Sequence, residues 1–428
     1  MHLVLRTSSV AADMRAMKIS GVDWCQNIPD NWSIIPSKYL FRDSNVRRLD
    51  GDIQLTASQK YGIISQVDYM EREQASIVLA NKGLESWKHV EPLDFIISLR
   101  SFQGGLEMSE VKGCITWHYV VLKATQAIHH AYYKWLFKSA QYITALQRTC
   151  NFIRDGQDLR YSNFAKVPLP YPPVEEQKTI ANFLDSKCAE IDALMEDIRA
   201  GISTLEEYKK SVITEAVTKG LNPDAEMKDS GVAWVGKCPE HWKITKIKYS
   251  VTLRTEKALF YPEKNKYIGL ENIEGWSNTL ISTDTEYEHT FYSICKQGDV
   301  MYNKLRPNLG KVVIAPYDAF CTGELMIFPT FNGDKRFLRY WMSNTLFITE
   351  AIRSTYGAKM PRVNPDFILN MSIFLPDEEE QAFISNYLDK VCAEIDSTIS
   401  DKQEQLAVLE EYKKSLIYEY VTGKKEVP

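Results

Sequence analysis

The sequence predicts an α/β fold in tandem duplication: two globular α/β regions separated by two long antiparallel coiled-coil helices, related by a pseudo-two-fold. Three observations predict it. The stretch from Glu176 to Thr218 returns from Glu380 to Thr422, always 204 residues later and without a gap, with 23 of 43 positions identical. A shorter block opens each half. Met17-Lys18-Ile19-Ser20-Gly21-Val22-Asp23-Trp24 matches Met227-Lys228-Asp229-Ser230-Gly231-Val232-Ala233-Trp234, and Pro29 and Trp32 match Pro239 and Trp242, at a spacing of 210. Inside the long repeat the apolar residues alternate by four and three, the spacing of a coiled-coil seam. Periods this long mark duplicated domains rather than a solenoid.

Taken in order, residues 1–16 have no counterpart in the second half, because Met17 is the residue that aligns with Met227. They are expected to be a disordered extension or the product of a misplaced start. Residues 17–170 then form the first globular region, 171–222 the first helical repeat, 223–374 the second globular region and 375–428 the second helical repeat. The first seam runs through Leu184, Cys188, Ile191, Met195, Ile198, Ile202, Leu205, Tyr208 and Val212; the second through Leu388, Cys392, Ile395, Ile399, Leu406, Leu409, Tyr412 and Leu416, with Lys402 interrupting it. Pro172, Pro173 and Pro376 stand just before the helices, where a missing N–H costs nothing, acidic residues follow, and Gly220 and Gly423 close the far ends. Each helix is about 45 residues, or roughly 65 Å. A seam of that length needs a partner, and the other copy is the nearest one.

The globular regions mix strand-like runs, Phe95 to Leu99 and Lys311 to Ala315, with amphipathic helical stretches such as Phe337 to Ser354. They align weakly with each other, which suggests one architecture carrying two specificities.

The net charge of −5 hides a segregation. The two helical repeats together carry −11, which leaves +6 for the remainder. A polyanion read by the globular regions alone would demand this distribution. No apolar run is long enough to span a bilayer, and a cytoplasmic location is expected. The eight cysteines form no CxxC pair and the seven histidines do not cluster, so neither zinc nor a disulfide framework is indicated. Cys188 and Cys392, the one equivalent pair, lie on the apolar seams as packing residues. There is no GxxxxGK[ST] loop and no nucleotide or methyl-donor fingerprint. Glu176-Gln177-Lys178 has the shape of a nuclease motif, but the second copy places Ala382 at the lysine position, which favours a structural role. The chain is expected to be no catalyst by itself and to hold no metal or cofactor.

What it offers instead is polar, basic turns. Arg100, Ser101 and Gln103 follow a strand in the first half, and Asn303, Lys304, Arg306 and Asn308 take the equivalent place in the second. Arg154 and Arg160, and Tyr356, Lys359 and Arg362, form a second pair of candidate turns. Arginine, lysine, asparagine and glutamine match the guanine and adenine edges of the major groove, and glycines nearby allow close approach to phosphate. On the helices, Leu205, Glu206, Tyr208, Lys209 and Lys210 recur as Leu409, Glu410, Tyr412, Lys413 and Lys414, which marks two equivalent docking surfaces for partners. A coiled-coil adaptor with two protein-binding ends would share the duplication, but it gives no reason for basic ends on an acidic rod.

These repeats resemble the conserved regions of the specificity subunit of type I restriction-modification systems. The match is carried by Pro172-Pro173-Val174-Glu175-Glu176-Gln177 and Leu375-Pro376-Asp377-Glu378-Glu379-Glu380-Gln381, the Ala-Glu-Ile-Asp and Leu-Glu-Glu-Tyr-Lys-Lys-Ser segments, and the Pro-x-x-Trp segments ending at Trp32 and Trp242. The resemblance implies that the globular regions are target recognition domains, each reading one half of a bipartite, asymmetric site in double-stranded DNA. It implies that the helices fix the spacer and bind two modification subunits, which methylate adenine with S-adenosylmethionine. It further implies restriction subunits that add ATP- and Mg-dependent translocation and cleavage.

Overall fold

The structure is a computed structural model that describes residues 15–74, 79–80, 82–98, 101–150, 159–277, 279–283, 285–357 and 359–428. Two compact units emerge: one is Met1–Asp197 with Gln405–Pro428, the other Ile198–Glu404. This division cuts across the five sequence segments. Each unit takes the first half of one long helix and the second half of the other. The long helices are α1, Val174–Lys219, and α2, Glu378–Val421. Their starts follow the prolines, with Glu175 and Glu176, and Glu378 to Glu380, in the first turns. Gly220 and Gly423 sit just beyond their ends with φ of 75° and 69°.

Each globular region opens on the same small hairpin. Met17–Ile19 pairs with Asn27–Pro29, and Met227–Asp229 pairs with Lys237–Pro239, in the same register after a shift of 210. A second repeated pair closes the globular region: Ser33–Ile35 lies against Leu169–Tyr171, and Lys243–Lys246 against Ser372–Leu375. This pair delivers the chain into the long helix. Between these constants the sheets differ. The first unit has an antiparallel four-stranded sheet in the order Phe41–Ser44, Val120–Ala124, Phe95–Ile97, Glu107–Met108. The second has a three-stranded sheet, Val312–Ile314, Val300–Asn303, Leu325–Phe328, and a four-stranded one in which Tyr267–Ile268 runs parallel to Ala319–Cys321. The stretch Phe337 to Ser354, expected as one helix, is two: Lys335–Ser343 and Thr345–Arg353. Asn344 divides them, donating to the Trp341 carbonyl at 2.6 Å while its side-chain oxygen accepts the Phe347 N–H at 2.8 Å. The side chain of Asn344 competes for the backbone and restarts the helix.

Within the first unit α1 and the end of α2 run antiparallel: Phe183 packs on Tyr420 with tilted rings at 4.5 Å between centroids, and Lys413 holds Asp192 at 2.6 and 2.7 Å. The second unit repeats the clasp with the roles exchanged, Lys209 holding Asp396 at 2.6 and 2.7 Å. The seam residues Leu184, Cys188, Ile191 and Met195 join the core of the first unit, and Leu388 and Cys392 that of the second. Burial pushes the Cys188 thiol up to about 11, as a packing role requires.

Lys209 and Lys413 were candidates for partner docking, and the clasp uses both. Lys209 is buried, so its ammonium is held by Asp396 and is not offered to a partner. Asp396 is about half exposed, so solvent screens the pair. A double-mutant cycle on Lys209→Ala and Asp396→Ala is therefore expected to give a coupling of about 0.5–1 kcal/mol. A coupling indistinguishable from zero would remove the clasp as a source of helix register.

Candidate nucleic-acid interface

The second unit assembles the clearer surface. Asn303 ends the strand Val300–Asn303 and is buried; its amide donates to the Leu305 carbonyl at 2.5 Å and accepts the Leu305 N–H at 2.9 Å. It shapes the turn and has no face left for a base. Lys304 is half-buried, donating its N–H to Glu324 O at 2.9 Å and accepting Val363 N–H at 3.0 Å. Arg306 is exposed at φ 52°, a conformation uncommon for a non-glycine residue, and its N–H donates to Pro361 O at 2.8 Å. Asn308 follows, exposed, in the turn Pro307–Leu309.

Those backbone bonds join the turn to the second candidate loop, more than 50 residues further on. Tyr356 and Arg362 exchange both N–H···O bonds at 3.0 Å, closing a hairpin that carries Lys359 at its exposed tip. Lys304, Arg306, Asn308, Tyr356, Lys359 and Arg362 thus share one surface. Glu324, which the sequence did not single out, sits among them and holds the Arg362 guanidinium, Nη2 to Oε1 at 2.8 Å and Nε to Oε2 at 3.0 Å. A bidentate pair fixes a planar fork.

The first unit repeats one part of this arrangement. Ser101–Gly104 packs against the helix Ala140–Gln147, as Pro307–Leu309 packs against Thr345–Arg353. Ser101 is buried and its hydroxyl accepts the Ser98 N–H at 2.8 Å, so it too builds the turn. Gln103 and Arg160 are exposed. Near Arg160, Asn163 donates to the Thr149 carbonyl at 2.9 Å. Arg100 and Arg154 lie outside the described residues.

Glu176 and Gln177 are structural. Glu176 accepts the Trp32 indole N–H at 2.9 Å and pairs with Arg15 at 2.5 Å, while Gln177 is buried and donates to Pro172 O at 2.8 Å. Their copies do the same: Glu380 accepts from Trp242 and Gln381 donates to Pro376 O at 2.9 Å. Of the docking candidates, Tyr208 and Tyr412 are both more than half exposed, Glu206 and Glu410 are exposed, and Leu205 and Leu409 are half-buried. Lys414 pairs with Glu411 on its own helix. A repeat that sequence reading passed over is Lys38-Tyr39, which returns as Lys248-Tyr249 with the ammonium 5.1 and 5.2 Å from the ring centroid. The 210-residue spacing could have found it.

A family model described as the type I restriction modification DNA specificity domain matches residues 31–204. Residues 31–204 are thus similar to a type I DNA specificity domain. Its relatives include the type I restriction enzyme MjaVIII specificity subunit of Methanocaldococcus jannaschii, 27% identical over 278 residues, 61% of this chain and 63% of that one. The type I restriction enzyme EcoDI specificity subunit of Escherichia coli is 21% identical over 290 residues, 62% of this chain and 64% of that one. The match thus spans just under two thirds of these relatives' length. Among solved structures, the HsdS subunit from Thermoanaerobacter tengcongensis is 14% identical with a TM-score of 0.50, covering 93% of this chain and 98% of that one. A chain from a structure concerned with complex assembly and conformational transition of the type I R-M system is 14% identical with a TM-score of 0.61, covering 93% and 99%. These likenesses show that the chain shares its fold with these two structures. Among the described residues no helix is long and apolar enough to cross a membrane.

Proposed function

We propose that this chain is the DNA sequence-specificity subunit of a type I restriction-modification complex. Each globular region reads one half of a bipartite, asymmetric site in double-stranded DNA. The observation that carries the reading is that two basic turns, distant in sequence, form one exposed surface in the second unit; in the first unit the Ser101–Gly104 turn packs on its helix as the Pro307–Leu309 turn does. The constant hairpins and helices hold that surface while its sheets diverge, as two readers of different sequences require. The long helices fix the unread spacer, and the repeated Glu206, Tyr208 and Lys210, with Glu410, Tyr412 and Lys414, dock two modification subunits. Those subunits bring S-adenosylmethionine, and restriction subunits bring ATP and Mg; this chain contributes recognition, in the cytoplasm where the DNA lies.

The test is adenine methylation mapped across the genome of cells expressing the chain with its modification subunit. A split motif is expected, and exchanging residues 243–375 for those of another specificity chain should replace one half-site and leave the other. If methylation by a competent modification subunit is indifferent to the exchange, the two-reader function fails. Deleting one heptad from α1 is expected to change the spacer length alone; a spacer that stays the same would defeat the ruler role of the helices.

A further inference from the structure

Trp276 of the second unit is one of four non-glycine residues at positive φ among the described residues. It is a bulky residue at φ 60°, a backbone region that side chains of its size rarely adopt. Its N–H donates to the Gly310 carbonyl at 3.0 Å, at the end of the turn that carries Arg306 and Asn308. Gly310 is itself at φ 60°, and a Cβ on it would fall 2.6 Å from the indole. Gly275, just before, comes so close to the same turn that a Cβ would lie 2.3 Å from Leu309 O. The loop and the turn are therefore pressed together, backbone to backbone and ring to backbone.

The indole also meets α1. Lys210 places its ammonium 5.0 Å from the ring centroid, within cation–π range. Glu206, Lys209, Lys210, Trp276, Asp396 and Gln403 border a groove of about 410 Å³ between the loop and the helices of this unit. The chain of contact thus runs from Lys210 on the repeated helix, through Trp276, to the turn Pro307–Leu309, and from Arg306 to Pro361 and the Tyr356–Arg362 hairpin. The first unit has a loop in the corresponding place. Gln59 lies against Gly104 of its turn, and Lys60 and Tyr61 line a cavity with Lys413 of α2.

We propose that Trp276 is the positioning residue of the second reading surface: it fixes the Arg306–Gly310 turn against α1, so that the discrimination of one half-site depends on this ring. Its role does not include touching DNA. Because the strain at φ 60° is carried by any side chain but not by glycine, Trp276→Gly removes the ring while relieving the backbone. A residue needed only to fill space would leave the turn where it is, or would destabilise the whole unit. A positioning residue loosens the turn and blurs the reading at unchanged stability.

The proposal rests on the DNA-reading function above, and two readouts on the full chain keep the two apart. In hydrogen exchange, Trp276→Gly should raise the exchange of the Leu309 and Gly310 amides by about tenfold, with the Val300–Asn303 and Leu325–Phe328 strands unaltered. In complex with the modification subunit, the same variant should lose about tenfold in discrimination at the second half-site, with the first half-site and the affinity for unrelated duplex unchanged. Trp276→Phe, which keeps a ring for Lys210, should restore both. Unchanged exchange overturns the proposal, as does a loosened turn that reads the second half-site with wild-type discrimination. A wild-type complex that reads no half-site overturns the function beneath it, whatever the exchange shows, and Trp276 then positions no reading surface.

Discussion

Trp32→Ala is expected to destabilise the first unit by about 3–5 kcal/mol, the usual cost of deleting a buried aromatic. The indole is fully buried, edge-on to Tyr132 at 6.3 Å, and the end of α2 is built around it: a Cβ on Gly423 would meet the ring at 2.9 Å. Its N–H holds Glu176 together with Arg15, so the substitution opens a cavity and removes one of the two partners that the carboxylate has among the described residues. Trp32→Phe keeps most of the ring and loses the donor, and should cost about 1.5–3 kcal/mol, the range for a hydrogen bond to a charged group. Thermal unfolding with exchange protection in Ser33–Ile35 and Leu169–Tyr171 as the local probe reads both. A cost below 1 kcal/mol for the alanine variant would mean that the repeated Pro-x-x-Trp segment does not anchor the helix start.

Arg362→Ala should weaken recognition of the second half-site by about 1–3 kcal/mol and relax its sequence, because a guanidinium held by a carboxylate presents a fixed edge. Glu324→Ala separates orientation from charge. It leaves the arginine in place and frees it, so affinity for any duplex should rise or hold while discrimination falls. If Arg362 instead contacts only phosphate, its removal lowers the salt slope by about one and weakens all sequences alike. Binding titrations over a range of salt, with cognate and altered half-sites, distinguish the two. Equal affinity of Arg362→Ala and the parent chain for every duplex would exclude the hairpin from the interface.

The periodic and duplicated parts of this protein were legible because each signal is local. The helix limits follow from proline before, carboxylates in the first turn and glycine after, and the structure places α1 and α2 there. The interior of the globular regions was less legible. Asn344 looked like one more polar residue on a helix face, and only the paired bonds to Trp341 and Phe347 make it a break. Asn303 and Ser101 have the right chemistry for a base edge, yet both spend it on their own turns.

By itself the sequence determined that there are two halves, that α1 and α2 are the repeated elements, and that basic turns belong to the divergent regions, since identity at fixed spacing and helical period can be read one residue at a time. The tertiary structure alone decided which candidates meet. Backbone bonds from Arg306 to Pro361 and between Tyr356 and Arg362, the Glu324 carboxylate beneath the fork, and Lys209 closing on Asp396 all link residues far apart in the chain. Such pairings depend on how strands and helices pack, and a sequence carries no local mark of a partner that only packing brings near.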